Sequence, residues 1–260
     1  MTQALQWAAA GTLFTAAMTA LGAALVIFFP KPPSPALQRV LLGFAAGVMV
    51  AASTWSLLIP AIEQAESMGL PGWLPAAGGS ILGILFLLAM DALLPHFVPA
   101  TFHCTGRPRR TALLVLAVTL HNIPEGMAVG VSFALAAQSD SPALFTAAAA
   151  LALGIGIQNF PEGAAISLPL RQDGLPRPKA FALGAISGIV EPIFALFTVL
   201  LAGTVEPLLP WLLSFAAGAM LYVVVEELIP EAALSERGHA GTLGVMGGFL
   251  IMMILDVALG

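Results

Sequence analysis

Long apolar stretches recur along the whole of this 260-residue sequence. Each is about 20 residues or longer, the length that a helix needs to cross a hydrocarbon core of about 30 Å. We delimit eight of them, at residues 5–28, 39–62, 73–94, 111–137, 143–169, 179–202, 207–230 and 241–259. Apolar residues make up 59% of the chain and charged residues only 9%, against roughly 25% charged in soluble domains. We therefore expect an all-α membrane protein with eight transmembrane helices, in a single domain over residues 1–260.

The basic residues fall on one side of this predicted topology. All nine Lys and Arg lie in or beside the loops that follow helices 1, 3, 5 and 7, and the loops after helices 2, 4 and 6 carry acidic residues but no basic ones. The positive-inside rule then places both termini outside the cytoplasm of a cell (inner) membrane. Residues 1–11 contain no Lys or Arg, so we expect the first helix to be retained and not cleaved as a secretory signal.

Helices 1–3 resemble helices 6–8 in sequence. Gly43–Met49 (GFAAGVM) in helix 2 matches Ser214–Met220 (SFAAGAM) in helix 7, and Leu58–Pro60 recurs as Leu228–Pro230. Helices 3 and 8 each carry one aspartate late in an apolar run, Asp91 and Asp256. An offset of five helices makes equivalent helices cross the membrane in opposite senses. This arrangement predicts an inverted repeat around helices 4 and 5, which is common in transporters with a midplane site.

Helices 4 and 5 contain a sharper repeat of polar residues, His121–Gly126 (HNIPEG) and Gln158–Gly163 (QNFPEG). Positions i and i+4 of a helix share one face, so the polar side chains of each motif converge on one point. Each proline frees a backbone carbonyl, and each glycine allows a neighbouring helix to approach closely. Helix 6 adds Glu191, and the following Pro192 is expected to release the carbonyl of Gly188 in the same way.

The charge balance of the helices is the main physical indication of a cation site. Each ionised carboxylate at the centre of a bilayer costs about 2.5 to 3.5 kcal/mol on the translocon-insertion scale. Lys and Arg lie only in the loops or at the first residue of a span, whereas seven carboxylates lie further inside the helices: Asp91, Glu125, Glu162, Glu191, Glu226, Glu227 and Asp256. Bound cations or protons must offset these charges. One buried His or Asn is commonly an interhelical hydrogen-bonding group, but two matched motifs together with Glu191 favour a metal site.

The ligand types narrow the choice of metal. Imidazole, carboxylate and amide oxygens suit zinc, iron(II), manganese or cadmium, and the lack of thiolates argues against a copper(I) specialist. Cys104 is the only cysteine, which excludes an intrachain disulfide and a cysteine-based zinc knuckle. We expect no prosthetic group and no nucleic-acid partner, so the partners are divalent metal ions and the lipid bilayer.

With these motifs the chain resembles the bacterial members of the ZIP (Zrt/Irt-like) family of divalent metal transporters. The resemblance covers essentially the whole chain and implies two adjacent metal positions that form a binuclear site. By this resemblance, the first position would use His121, Glu125, Gln158 and Glu162. The second would use Asn122, Asn159 and Glu191, with Glu125 and Glu162 bridging the two.

The same resemblance implies how such a protein would work. Zn²⁺ would be the transported substrate, with Cd²⁺, Fe²⁺ and Mn²⁺ as other candidates, and it would move toward the cytoplasm. Helices 1, 4, 5 and 6 would slide as an elevator against helices 2, 3, 7 and 8 of a homodimer. Many members have a His-rich third loop, where this chain offers only His96, His103 and Cys104.

Two other functional classes remain as alternatives on sequence alone. An intramembrane metal-dependent hydrolase would use a metal-activated water, but no His-Glu-x-x-His pair is present, because Glu125 stands four residues after His121 without a second His. A proton-coupled carrier of an organic solute is the other alternative. We expect a transporter and not an enzyme.

Overall fold

The computed structural model describes residues 2–28, 34–97, 107–172, 174–204, 206–233 and 238–259. Within these ranges the chain is helical and contains no β-strand. We number the helices α1 to α8 in chain order. Five of them are uninterrupted: α1 Thr2–Phe28, α3 Trp73–Phe97, α4 Arg107–Gln138, α5 Pro142–Gln172 and α8 Ala240–Leu259.

The other three helices contain a local irregularity. Helix α2 comprises Pro35–Ala52, a π-helical segment Ser53–Leu58, and Ile59–Ser67. Helix α6 comprises Arg177–Ser187 and Val190–Thr204. Helix α7 follows a short 3-10 turn, Glu206–Leu208, and comprises Leu209–Val223, a π-helical segment Val224–Leu228, and Ile229–Ala233.

Seven of these helices are long and apolar enough to cross a membrane, and the chain is therefore a multi-pass membrane protein. Helix α4 has 32 residues and is not among the seven, which were identified within the described part of the chain alone. The predicted segments match the helices, but α2 continues to Ser67 instead of ending near residue 62, and α4 already begins at Arg107.

The two π-helical segments stand at matching places in the sequence. Ser53–Leu58 and Val224–Leu228 each run directly into an Ile-Pro pair, residues 59–60 and 229–230. Proline lacks the amide hydrogen that an α-helix requires, so the preceding turn can widen to hydrogen bonds five residues apart. The repeated Leu-Ile-Pro of the sequence thus has the same backbone irregularity in both copies.

The break in α6 lies at Gly188 and Ile189, immediately before Glu191. The expectation that Pro192 leaves the Gly188 carbonyl open is wrong. The amide of Glu191 donates to that carbonyl at 3.2 Å, in the tighter geometry of a turn three residues long. Because the Glu191 amide bonds to Gly188, it does not bond to the carbonyl of Ser187, four residues before it.

The helices form two groups, according to which neighbours they contact most. Helices α1, α4, α5 and α6 form one group, in which α1 packs along α5 and α4 packs along α6. Helices α2, α3, α7 and α8 form the other, in which α2 packs along α8 and α3 packs along α7. The contacts between the groups are fewer, and they involve mainly α2 against α5 and α4 against α7.

Glycines let the helices of the second group approach at the level of their backbones. A Cβ at Gly47 of α2 would collide with the backbone oxygen of Val245 in α8. A Cβ at Gly218 of α7 would collide with the backbone oxygen of Ser80 in α3. These two glycines are equivalent in the repeated GFAAGVM and SFAAGAM sequences, so the α2–α8 and α7–α3 pairs use the same small-residue contact.

Candidate functional site

The two sequence motifs lie beside each other in the first group of helices. Asn122 and Glu125 are on α4, Gln158 and Asn159 are on α5, and all four side chains are buried. Glu191 on α6 is fully buried, and Glu162 on α5 is partly buried. His121 belongs to α4 by its backbone, but its side chain lies outside the described part of the structure.

Three amide side chains join α4, α5 and α6 by hydrogen bonds. Gln158 Nε2 donates to Glu125 Oε1 at 2.5 Å and so connects α5 with α4. Asn159 Nδ2 donates to Glu191 Oε1 at 2.9 Å and connects α5 with α6. Asn122 Nδ2 donates to the Ser187 carbonyl at 2.9 Å and connects α4 with α6. Five residues predicted from the sequence therefore meet at one place between three helices.

These hydrogen bonds leave a set of buried oxygens that have no hydrogen-bond partner. They are Asn122 Oδ1, Glu125 Oε2, Gln158 Oε1 and Asn159 Oδ1. The NH₂ group of each amide donates to another group of the protein. The amide oxygen therefore lies on the opposite side, where it has no protein donor. Buried polar atoms without partners are rare in folded proteins, so four acceptors in one place need an explanation. Oxygen atoms with lone pairs to offer are ligands for a metal cation.

The carboxylates at this place repel one another. Glu125, Glu162 and Glu191 are close enough for each pair to interact electrostatically. The sequence contains no Lys or Arg between Arg110 and Arg171, nor between Lys179 and Arg237, so the helices that hold these carboxylates supply no cation at this depth. Each charge costs about 2.5 to 3.5 kcal/mol at the centre of a bilayer. A bound cation would remove the repulsion and also satisfy the four oxygens.

The described acidic side chains do not form a metal site without other ligands. Among the residues that the structure describes, no three His, Cys, Asp or Glu side chains converge closely enough to hold a metal ion by themselves. With the described side chains alone, a metal site here would include the amide oxygens of Gln158 or the two asparagines, and the side chain of His121 lies outside the described residues.

The two motif glycines hold the neighbouring helices against the site, as the sequence predicts. A Cβ at Gly126 would collide with the backbone oxygen of Glu191 on α6. A Cβ at Gly163 would collide with the backbone oxygen of Thr19 on α1. Each glycine follows the glutamate of its motif, so α6 and α1 contact the α4 and α5 backbones within one residue of Glu125 and Glu162.

Sequence reasoning missed the contribution of α1. Thr15 Oγ1 donates a short hydrogen bond to Glu191 Oε2, and the Thr15 carbonyl accepts from Asn159 Nδ2 at 3.4 Å. The spacing of Thr12, Thr15 and Thr19 could have indicated this contact, since three hydroxyls on one face of an apolar helix need acceptors.

The other acidic residues of the helices lie elsewhere. Asp256 of α8 is buried and accepts a hydrogen bond of 2.5 Å from Ser56, within the π-helical segment of α2. Glu226 is exposed and Glu227 is partly buried. The side chains of Asp91 and His96, and residues 103 and 104 entirely, fall outside the described residues.

Comparison with known proteins gives consistent matches over nearly the whole chain. A family model described as ZIP Zinc transporter matches residues 99–256. The zinc transporter ZIP11 of Homo sapiens is 40% identical, over 96% of this chain and 96% of that protein. The zinc transporter GufA of Myxococcus xanthus is 41% identical, over 96% and 97%. The zinc transporter ZIPB of Bordetella bronchiseptica is 39% identical, over 94% of this chain and 78% of its own length.

Proposed function

Because this chain belongs to the ZIP family of zinc transporters, whose members are not enzymes, we propose that it carries Zn²⁺ across the bilayer through the site between α4, α5 and α6. The observation that carries this proposal is the set of four buried oxygens without partners beside three mutually repelling carboxylates. Zn²⁺ is the substrate here and not a prosthetic group. The hydrolase alternative is not favoured, since the relatives are named zinc transporters.

We propose two neighbouring metal positions within this site. The first consists of His121, Glu125, Gln158 and Glu162, and the hydrogen bond between Gln158 and Glu125 supports their proximity. The second consists of Asn122, Asn159 and Glu191, supported by the hydrogen bond between Asn159 and Glu191, and Glu125 and Glu162 bridge the two positions. Cd²⁺, Fe²⁺ and Mn²⁺ are the other candidate substrates.

We also propose the topology that this function requires. Residues 1–260 form one domain with α4 as the eighth span, both termini lie outside the cytoplasm, and zinc moves inward. The matching π-helical segments and the equivalent α2–α8 and α7–α3 pairs support an inverted repeat. The division into two groups of helices is consistent with an elevator motion of α1, α4, α5 and α6, in a homodimer.

The test is uptake of labelled zinc into liposomes that contain the purified protein. Glu162→Gln keeps the side-chain volume and removes a charge that we assign to both metal positions, so uptake should be nearly abolished. Asp140→Asn is the matched control: it also removes one carboxylate, in the turn between α4 and α5, and Asn tolerates the left-handed backbone there (φ 46°). Normal uptake by Glu162→Gln, or uptake of an organic solute without metal, would contradict the proposal.

A further inference from the structure

Three threonines of α1 form a buried polar face toward the site. Thr12, Thr15 and Thr19 are all fully buried. The hydroxyl of Thr12 donates to the Ala8 carbonyl at 2.7 Å, and that of Thr19 donates to the Thr15 carbonyl at 3.3 Å. These are local bonds to the preceding turn, which is how a hydroxyl in an apolar helix usually satisfies itself. The Thr12 bond requires no partner on another helix.

The Thr15 hydroxyl reaches a second helix, and the Thr19 hydroxyl is also within hydrogen-bonding range of Glu191. Its own-helix acceptor, the Thr12 carbonyl, is 3.1 Å away, and Glu191 Oε2 on α6 is closer. A hydroxyl has one proton to donate, and a carboxylate is a stronger acceptor than a neutral carbonyl. The Thr15 proton is therefore directed to Glu191.

Each oxygen of the Glu191 carboxylate accepts a hydrogen bond from another helix. Thr15 Oγ1 donates to Oε2 from α1, and Asn159 Nδ2 donates to Oε1 from α5 at 2.9 Å. The same Asn159 amide also reaches the Thr15 carbonyl at 3.4 Å, so the three residues close a ring across three helices. A carboxylate has about four acceptor directions, so two donors fix its orientation and leave capacity for a cation.

We propose that Thr15 is a positioning residue of the transport site, which orients the Glu191 carboxylate so that this carboxylate and Asn159 Oδ1 can share one metal ion. This inference rests on the proposed function, because it concerns the second metal position. Hydrogen bonds that orient a ligand commonly account for 10- to 100-fold in metal affinity or activity. Helix α1, which carries none of the motif residues, thereby becomes part of the metal site.

The role is distinguishable from simple helix packing. The α1 backbone is already held against α5 at Gly163, where a Cβ would collide with the Thr19 carbonyl, and this contact does not involve the Thr15 hydroxyl. Loss of that hydroxyl should leave the fold in place and change the metal site. A packing role would instead change stability and leave zinc affinity as it was.

The experiment uses zinc titration and zinc uptake on the purified full-length protein. Thr15→Val keeps the shape and removes the donor, and it should weaken zinc binding about 10- to 100-fold at the same step that Glu191→Gln weakens. Thr15→Ser keeps the donor and should restore binding to within a few-fold of the unsubstituted chain. Thr12→Val is the matched control, since it removes an equally buried hydroxyl that bonds only within α1, and it should bind zinc normally. Thr15→Ala replaces the Val variant if the latter does not fold.

A double-mutant cycle separates positioning from other effects. If Thr15 acts through Glu191, then Thr15→Val should have little further effect on zinc affinity in a Glu191→Gln background. Equal affinity of Thr15→Val and the unsubstituted chain, tighter binding by Thr15→Val, or an additive cycle would overturn the positioning role. Absence of zinc binding by the unsubstituted chain would instead overturn the proposed function, so the two failures are distinct.

Discussion

Replacing Asn159 with aspartate should make the stability of this protein depend on zinc. The Asn159 amide donates to Glu191 at 2.9 Å, and both side chains are fully buried. Asn159→Asp changes the donor into a second carboxylate. The lost hydrogen bond to a charged group costs about 1.5 to 3 kcal/mol. Two unit charges about 4 Å apart repel by about 4 kcal/mol at an effective dielectric constant of about 20.

Rotation of the two side chains will relieve part of this repulsion. We therefore expect the free energy of unfolding in chelator to fall by at least about 2 kcal/mol. The decrease should not exceed the sum of the lost hydrogen bond and the charge repulsion. A divalent ion between the carboxylates reverses the effect and gains an anionic ligand. Zinc affinity should then rise at least about tenfold, equivalent to about 1.4 kcal/mol, and zinc release during transport should slow.

The assay is thermal unfolding of the purified protein in chelator and at increasing zinc concentrations, together with a zinc-binding isotherm. Gln138→Glu is the matched control, because the Gln138 amide donates to the Ala202 carbonyl at 3.0 Å, at the end of α4 and outside the site. It should lose about one hydrogen bond, with no zinc-dependent recovery. The reasoning is refuted if Asn159→Asp is as stable as the unsubstituted chain in chelator and gains no more from zinc.

Three further predictions concern protons, topology and packing. Apparent zinc affinity should fall as pH drops from 7.5 to 5.5, because zinc must displace protons from carboxylates and from His121, and an isotherm that does not change with pH would contradict such a site. Single cysteines at Gln138 and Arg109, in a chain without Cys104, should react with an impermeant thiol reagent from outside and inside respectively, and labelling of both from one face would refute the topology. Gly163→Val should destabilise the protein by about 1 to 3 kcal/mol in thermal unfolding, through its collision with the α1 backbone, and an unchanged transition would contradict that contact.

The positions of the helices were predictable because apolar length alone determines where a chain can cross a membrane. The irregularities within helices were not. The widened turn at Ser53–Leu58 depends on how Pro60 is accommodated by neighbouring helices, and apolar periodicity does not report this. The break at Gly188 likewise follows from a turn that a single sequence indicates only weakly.

The sequence predicted that the two motifs and Glu191 lie together, and the assignment of these residues to metal positions stays a prediction. The spacing of three residues indicated that Asn122 and Glu125 share a face of α4, and the spacing of four residues indicated the same for Gln158 and Glu162 on α5. Which amide faces which carboxylate depends on the rotation of each helix about its axis, so only the family resemblance, and not the spacing, placed Gln158 with Glu125. The role of Thr15 was missed because a threonine in an apolar helix usually bonds to its own backbone.

The backbone contacts at Gly126 and Gly163 also bear on how sequences of this kind can diverge. A side chain that lies against another side chain can change together with its neighbour, but a glycine that lies against a carbonyl oxygen has no neighbour whose substitution makes room. No single substitution at these two positions, even by alanine, fits without a shift of a helix backbone. Exposed apolar residues on the outer surfaces of the helices, such as Leu13 and Ile193, are less constrained by neighbouring backbone and can be exchanged for other apolar types. In a saturation mutagenesis survey, intolerance should concentrate along the α1–α5 and α4–α6 contacts, including positions that bind no metal.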